Sequence, residues 1–205
     1  MVDNKEFRSL DNLEVRSVAE NANELILEGY IAKFDSLIEL CSGYFEKIDR
    51  HAFDETLADG HNVYLVYSHD ISKVLASKRN NTLELSTDDM GLKFRANINK
   101  NLSYAADTYE LVNSGEVRGC SFGFYTLKDN VEYDNANDVI TRTLQQVHLL
   151  EGTITPIPAY EDTTVEARAK GYKEEINKNT QTEEELRELG EELELFLIND
   201  EIERG

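Results

Sequence analysis

Cysteine and proline are scarce in this 205-residue chain, with two of each. Cys41 and Cys120 are too few for a disulfide framework or a four-ligand zinc site. Two prolines and eleven glycines do not fit collagen-like, mucin-like or generally disordered chains. No stretch approaches the ~18 consecutive apolar residues of a membrane-spanning helix. The opening residues, Met1-Val2-Asp3-Asn4-Lys5-Glu6, lack the apolar centre of a signal peptide, so a chain that is not secreted is expected. Positive charge is also scarce: 21 Lys and Arg stand against 41 Asp and Glu, a net charge of −20. A protein that binds nucleic acid needs a positive footprint to release counterions, and no basic run is present here. Motifs for metals and nucleotides are missing too. There is no H-E-x-x-H, no C-x-x-C, no histidine pair at i and i+4, and no glycine-rich phosphate loop after a strand. The expectation is no cofactor, no metal, no nucleic-acid partner and no membrane partner.

What is present is a pattern of short strands. The length fits one domain with an appendage. Residues 1–12 are polar and read as a flexible lead-in. Strands are expected over 13–20, 24–34, 62–67, 73–77, 81–87, 91–97, 117–127, 139–150, 151–157 and 164–167. A short helix is expected over Asp49–Asp59, with Asp49 as cap and Gly60 as stop. A longer one is expected over Asn101–Asn113, with Ser103 as cap and Gly115 past its end. An acidic loop, 129–138, separates two of the strands. The expected fold class is α+β: a mostly antiparallel sheet closed into a β-barrel, surrounded by a few helices.

Composition changes after Arg168. Lys173–Arg204 holds twelve acidic residues against four basic ones. Thr182-x-x-Glu185 is a capping box, and Leu186, Leu189, Leu193, Phe196 and Leu197 form an apolar stripe. The expected organisation is a domain over 13–170, a linker over 171–181 and an acidic amphipathic helical tail over 182–205. That stripe needs a cover, and self-association through it is one option.

Three places can carry chemistry. His69 follows the apolar run Asn62–Tyr67, where a general base is anchored by a rigid strand yet free at its end. Ser121 lies in Arg118-Gly119-Cys120-Ser121-Phe122-Gly123-Phe124, whose glycines let a backbone approach a hydroxyl closely. A serine is a weak nucleophile until a base takes its proton, so Ser121 needs a histidine near it in space. His148 and Glu151 lie three apart, so in a regular strand they face opposite ways. Only one of them can serve the site unless a bulge intervenes. Cys120 adjoins Ser121 and faces the other side, as a small core residue does. On position and residue types alone, an ordinary loop histidine and an ordinary strand serine are the better fit.

Five stretches together resemble the HK97-type prohead (procapsid maturation) proteases of tailed bacteriophages. They are Glu28–Phe34, Phe45–Phe53, Tyr67-Ser68-His69-Asp70 with Val74-Leu75, Arg118–Phe124, and Leu150–Tyr160. Their order and spacing match over roughly residues 13–168. The resemblance implies a serine endopeptidase with the fold of the herpesvirus maturation protease (assemblin), a small β-barrel surrounded by helices. It places the family's histidine on His69, its nucleophile on Ser121 and its acidic residue on Glu151. The herpesvirus enzymes use a second histidine as third member, which keeps His148 as the alternative. Cys120 replaces a frequent Met, and Glu151-Gly152-Thr153 replaces an E-V-S pattern; neither change removes a reactive group.

The implied partner is the phage major capsid protein or its scaffolding segment, as substrate, with self-cleavage beside it. The implied location is the host cytoplasm, inside the assembling procapsid. The competing reading is a catalytically inactive capsid-associated scaffold or assembly protein, which would need neither His69 nor Ser121.

Overall fold

The computed structural model describes residues 5–9, 15–18, 25–156, 168–176, 178–179, 182 and 187. The chain divides into two compact units, residues 1–162 and 163–205. Among its described residues the first unit holds eleven strands: β1 (Glu6–Ser9), β2 (Arg16–Val18), β3 (Leu25–Lys33), β4 (Ile38–Cys41), β5 (Tyr44–Ile48), β6 (Tyr64–Tyr67), β7 (Asp70–Ser77), β8 (Leu83–Thr87), β9 (Gly91–Ile98), β10 (Gly119–Asp134) and β11 (Val139–Thr155). Two helices accompany them, α1 (Asp54–Ala58) and α2 (Ser103–Asn113). In the second unit, residues 168–176 are helical.

The expected antiparallel barrel is not what forms. The fold is mostly β, in two open sheets, the larger of mixed pairing and the smaller antiparallel throughout. One has seven strands, along β1-β10-β11-β5-β4, with β6 on β11 and β7 on β6. The other has four, in the order β2-β3-β9-β8. The physical reason lies in β11. One half, Ile140–Leu144, takes β5 in parallel, and the other, Glu151–Ile154, takes β6 in parallel. One long strand therefore serves two partners on one edge, and each brings its own antiparallel neighbour. Parallel partners arrive through long connections, which leave no local trace in a sequence.

The two sheets share one core. Leu27, Ile31, Leu92 and Phe94 from the smaller sheet and Phe122, Phe124, Leu144, Leu149 and Ile154 from the larger are all buried in it. Alternation explains the facing: in β10 the buried Phe122 and Phe124 lie two apart, on the side opposite Ser121. Their rings stack at 5.0 Å, and Phe53 meets Phe122 edge-on at 5.9 Å. Each such ring removes a large apolar area from water, contributing roughly 1.5–3 kcal/mol.

Several local expectations shift. Helix α1 is shorter than Asp49–Asp59, because Asp49 accepts a hydrogen bond from the His51 N–H and organises a turn ahead of the helix. Helix α2 is capped at Leu102 without a side-chain bond, so Ser103 is its first residue rather than its cap. Gly115 follows the helix with φ +79, as its role of stop requires. The acidic segment 129–138 is strand as far as Asp134, with a turn only at 135–138. The strands expected at 139–150 and 151–157 are one strand, β11.

Residues 6–9, within the expected lead-in, pair with β10 as β1. Residues 171–176, at the start of the expected linker, are helical. The expected strand at 164–167 and the apolar stripe of the tail lie outside the described residues.

Candidate active site

Three neighbouring strands converge on one face of the larger sheet. In the β10–β11 ladder Ser121 stands opposite Thr153, and Gly123 stands opposite Glu151. Residues two apart share a face, so Ser121 and Glu151 point the same way. Strand β6 runs beside Glu151–Ile154 and turns back at Ser68-His69. Tyr67 pairs with Asp70, so the turn has two residues, and both have positive φ, 51° at Ser68 and 58° at His69. This is a type I′ hairpin geometry, ordinarily filled by Asn-Gly. Holding side-chain-bearing residues there costs on the order of 1 kcal/mol each.

The neighbouring strand fixes the turn. The Ser68 N–H donates to the Ile154 carbonyl at 2.9 Å, and the His69 N–H donates to Thr153 Oγ1 at 2.9 Å. The Thr153 hydroxyl in turn donates to the Val66 carbonyl at 3.2 Å.

The imidazole thereby spans the two other groups. His69 Nδ1 lies 2.9 Å from Glu151 Oε1, and His69 Nε2 lies 3.1 Å from Ser121 Oγ. With the proton on Nδ1, Nε2 is left as the acceptor facing the serine. Phe7 packs edge-on against the imidazole, with centroids 4.5 Å apart.

Glu151 is 2% exposed. Burial works against its ionisation, but the hydrogen bond from His69 and the charge of Lys5 prevail, and its carboxyl is held below its ordinary value. Lys5 Nζ reaches the same Oε1 at 3.2 Å. Glu151 Oε2 is buried without a hydrogen-bond partner among the described residues. The ladder also explains the glycines. A Cβ at Gly123 would lie 2.8 Å from Lys5 Cε and 2.9 Å from Glu151 Oε1. A Cβ at Gly152, which faces the core, would lie 2.6 Å from Ile31 Cδ1.

Cys120 is buried on the opposite face, and burial pushes its thiol up to about 12. A thiol protonated at neutral pH is a poor nucleophile.

His148 goes elsewhere. A bulge does intervene: Phe124 pairs with Leu149 and Gly123 with Glu151, which leaves Leu150 unmatched. His148 stacks on His61 at 4.2 Å, and its Nδ1 lies 4.0 Å from Asp59 Oδ2. The His61 ring is engaged at both nitrogens, with Asp59 Oδ1 at 2.5 Å and the Leu149 carbonyl at 2.6 Å. Side-chain donor atoms of Asp59, His61 and His148 all lie within 4.8 Å of one another, the one described group able to hold a metal ion. Sequence spacing gave no hint of it, since Asp59 and His61 share the loop after α1 while His148 comes from β11, far along the chain.

Residue-by-residue reading also missed Lys5, Phe7, Arg8 and Thr153, which all touch the site. Thr153 carries a signal in retrospect, lying two residues from Glu151 on the same strand face. The segment 5–9, with a single apolar residue, carries none. A groove of ≈ 420 Å³ adjoins the site, lined by Lys5, Tyr64, Val66, Ile71, Val74 and Glu151 among others.

A family model described as Caudovirus prohead serine protease matches residues 11–179. No curated protein and no solved structure matches the chain.

Proposed function

Because the chain belongs to the caudovirus prohead serine protease family, and so is a serine peptidase of phage capsid maturation, we propose that Ser121, His69 and Glu151 are its catalytic residues and that its substrate is the major capsid protein or the scaffolding segment of it. The observation that carries this reading is the continuous chain of contacts from Ser121 Oγ through both imidazole nitrogens to a buried carboxylate.

Each group has a role in the proposed reaction. His69 Nε2 takes the hydroxyl proton as Ser121 Oγ attacks the scissile carbonyl carbon. The tetrahedral intermediate collapses when His69 returns that proton to the leaving amine, breaking the C–N bond. A water then repeats the sequence on the acyl ester and frees the serine. Glu151 keeps Nδ1 protonated and stabilises the imidazolium formed at each transfer. No step calls for a metal or a cofactor. A phage prohead protease works in the assembling procapsid within the host cell, and no helix among the described residues is long and apolar enough to cross a membrane. Self-cleavage is the second expected reaction, on accessible segments of the chain itself.

The test is incubation of the purified chain with the phage capsid protein, beside Ser121→Ala and Cys120→Ser. A discrete new fragment with the parent and Cys120→Ser, absent with Ser121→Ala, supports the reading. Full cleavage by Ser121→Ala overturns it. Removing a nucleophile that acts as part of a unit lowers turnover on the order of 10³–10⁶-fold.

A further inference from the structure

Ser121 has no exposed surface. The cover is β1, which pairs antiparallel with β10 in the register Glu6↔Phe124, Phe7↔Gly123, Arg8↔Phe122 and Ser9↔Ser121. The other edge of β10 is occupied by β11 from Gly119 to Asp134. An extended chain reaching Ser121 therefore has one edge to pair with, and β1 is on it. The Arg8 carbonyl also accepts the Ser121 hydroxyl at 2.8 Å. A hydroxyl has one proton, so this bond takes from His69 the proton it is placed to remove. Phe7 and Lys5, on the site face of β1, lie against His69 and Glu151.

The opposite face of β1 is read by charge. Glu6 accepts from Arg142 Nη1 at 2.9 Å and from the Thr126 hydroxyl at 2.7 Å. Arg8 donates to both oxygens of Glu46, at 2.5 and 2.9 Å. All four charged side chains are buried. The receiving pair is itself joined, Arg142 Nη1 to Glu46 Oε2 at 3.0 Å, so it stays matched when β1 leaves. A replacement strand with the same two charges restores every ion pair, whereas one without them buries Arg142 and Glu46 with their hydrogen bonds to β1 unreplaced. Pairing of an added strand to a sheet edge supplies the main-chain affinity, and alternate side chains supply the choice.

We propose that the β1 edge of β10 is the substrate-binding edge, that it selects an extended segment with an acidic residue and, two positions later, a basic one, and that β1 occupies it as an internal stand-in that must be displaced before Ser121 can react. This rests on the reading of Ser121 as the nucleophile.

The test uses the full chain, Arg8→Ala and Phe7→Ser with a fluorophosphonate probe. Serine Oγ forms a bond to phosphorus, fluoride leaves, and the hydroxyl proton passes to the imidazole. Labelling of Ser121 is timed by mass spectrometry of the digested protein. Both variants should label about tenfold faster than the parent or more, because weakening β1 raises the open population. Phe7→Ser keeps the buried ion pairs and carries the test if Arg8→Ala does not fold. A synthetic peptide of residues 3–11 should slow Phe7→Ser towards the parental rate, and the same peptide with Arg8→Glu should not. Equal rates at Ser121 in all three chains overturn the stand-in and leave the nucleophile standing. Equal action of the two peptides overturns the charge selection. No label at Ser121 in any chain overturns the nucleophile, and the inference with it.

Discussion

Gly123 stands directly opposite Glu151 in the β10–β11 ladder, and a Cβ at Gly123 would come within 2.9 Å of the Glu151 carboxylate oxygen that meets His69. The carboxylate can therefore reach the imidazole only beside a residue without a side chain. Lys5, the other neighbour of that Cβ, ends in a flexible chain and can move aside. Gly123→Ala should leave the fold intact while tilting Glu151 away from His69. A misplacement of about 1 Å costs on the order of 100-fold in rate. Peptidase kinetics beside circular dichroism check this, and an unchanged kcat would show that Glu151 tolerates the shift.

Glu151 and His148 make opposite predictions. Glu151→Gln removes the charge that orients His69 and stabilises its cation, a loss of about 10²–10⁴ in kcat. His148→Ala acts on the Asp59–His61 cluster and should stay within about threefold of the parent. A matched peptide assay of the two variants decides between them; the reverse ranking would make His148 the third member.

Acid should weaken the fold in part through Glu151. Its carboxyl is held below the ordinary value of 4.5 in the folded chain, so folding favours the ionised form. That contribution is fully present above the ordinary value and is lost as pH falls through the lowered one. Glu151→Gln should therefore lose less stability than the parent between about pH 6 and pH 3. Urea unfolding at a series of pH values measures the difference, and parallel curves would contradict it.

Arg142 holds a buried network together, touching Glu6, Glu46 and Asp129. Burial works against its charge, but the hydrogen bond to Glu6 and the charges of Glu46 and Glu6 hold the guanidinium well above its ordinary value. Arg142→Leu leaves Glu46 facing Arg8 alone and deprives Glu6 of its main partner. Breaking a buried pair from one side costs about 3–5 kcal/mol. Thermal unfolding should show a large fall in Tm, and a loss below about 1 kcal/mol would mean that water reaches these groups.

How much of this was legible in the chain follows from the range of each interaction. Strand β6, hairpin β8–β9, helix α2 and its glycine stop are written in local alternation and turn chemistry, and the motif around Ser121 and the His69-Asp70 pair stand out as short stretches. Those features depend on neighbours within a few residues. The closed antiparallel barrel failed because parallel pairing of β5 and β6 with β11 is set by contacts about ninety residues apart.

The third member stayed open in the sequence because the two candidates are three residues apart, and the bulge at Leu150 that sets their facing is a property of the ladder. The chain by itself determined which side chains were on offer: one serine between glycines, one histidine after an apolar strand, and a carboxylate and a second histidine in competition. Only the tertiary structure put Glu151 on the His69 ring, sent His148 to His61, and laid Glu6–Ser9 across the serine. A strand of one apolar and three polar residues has no periodic signal of its own. Buried partners supplied by β5, β10 and β11 turn it into part of the core.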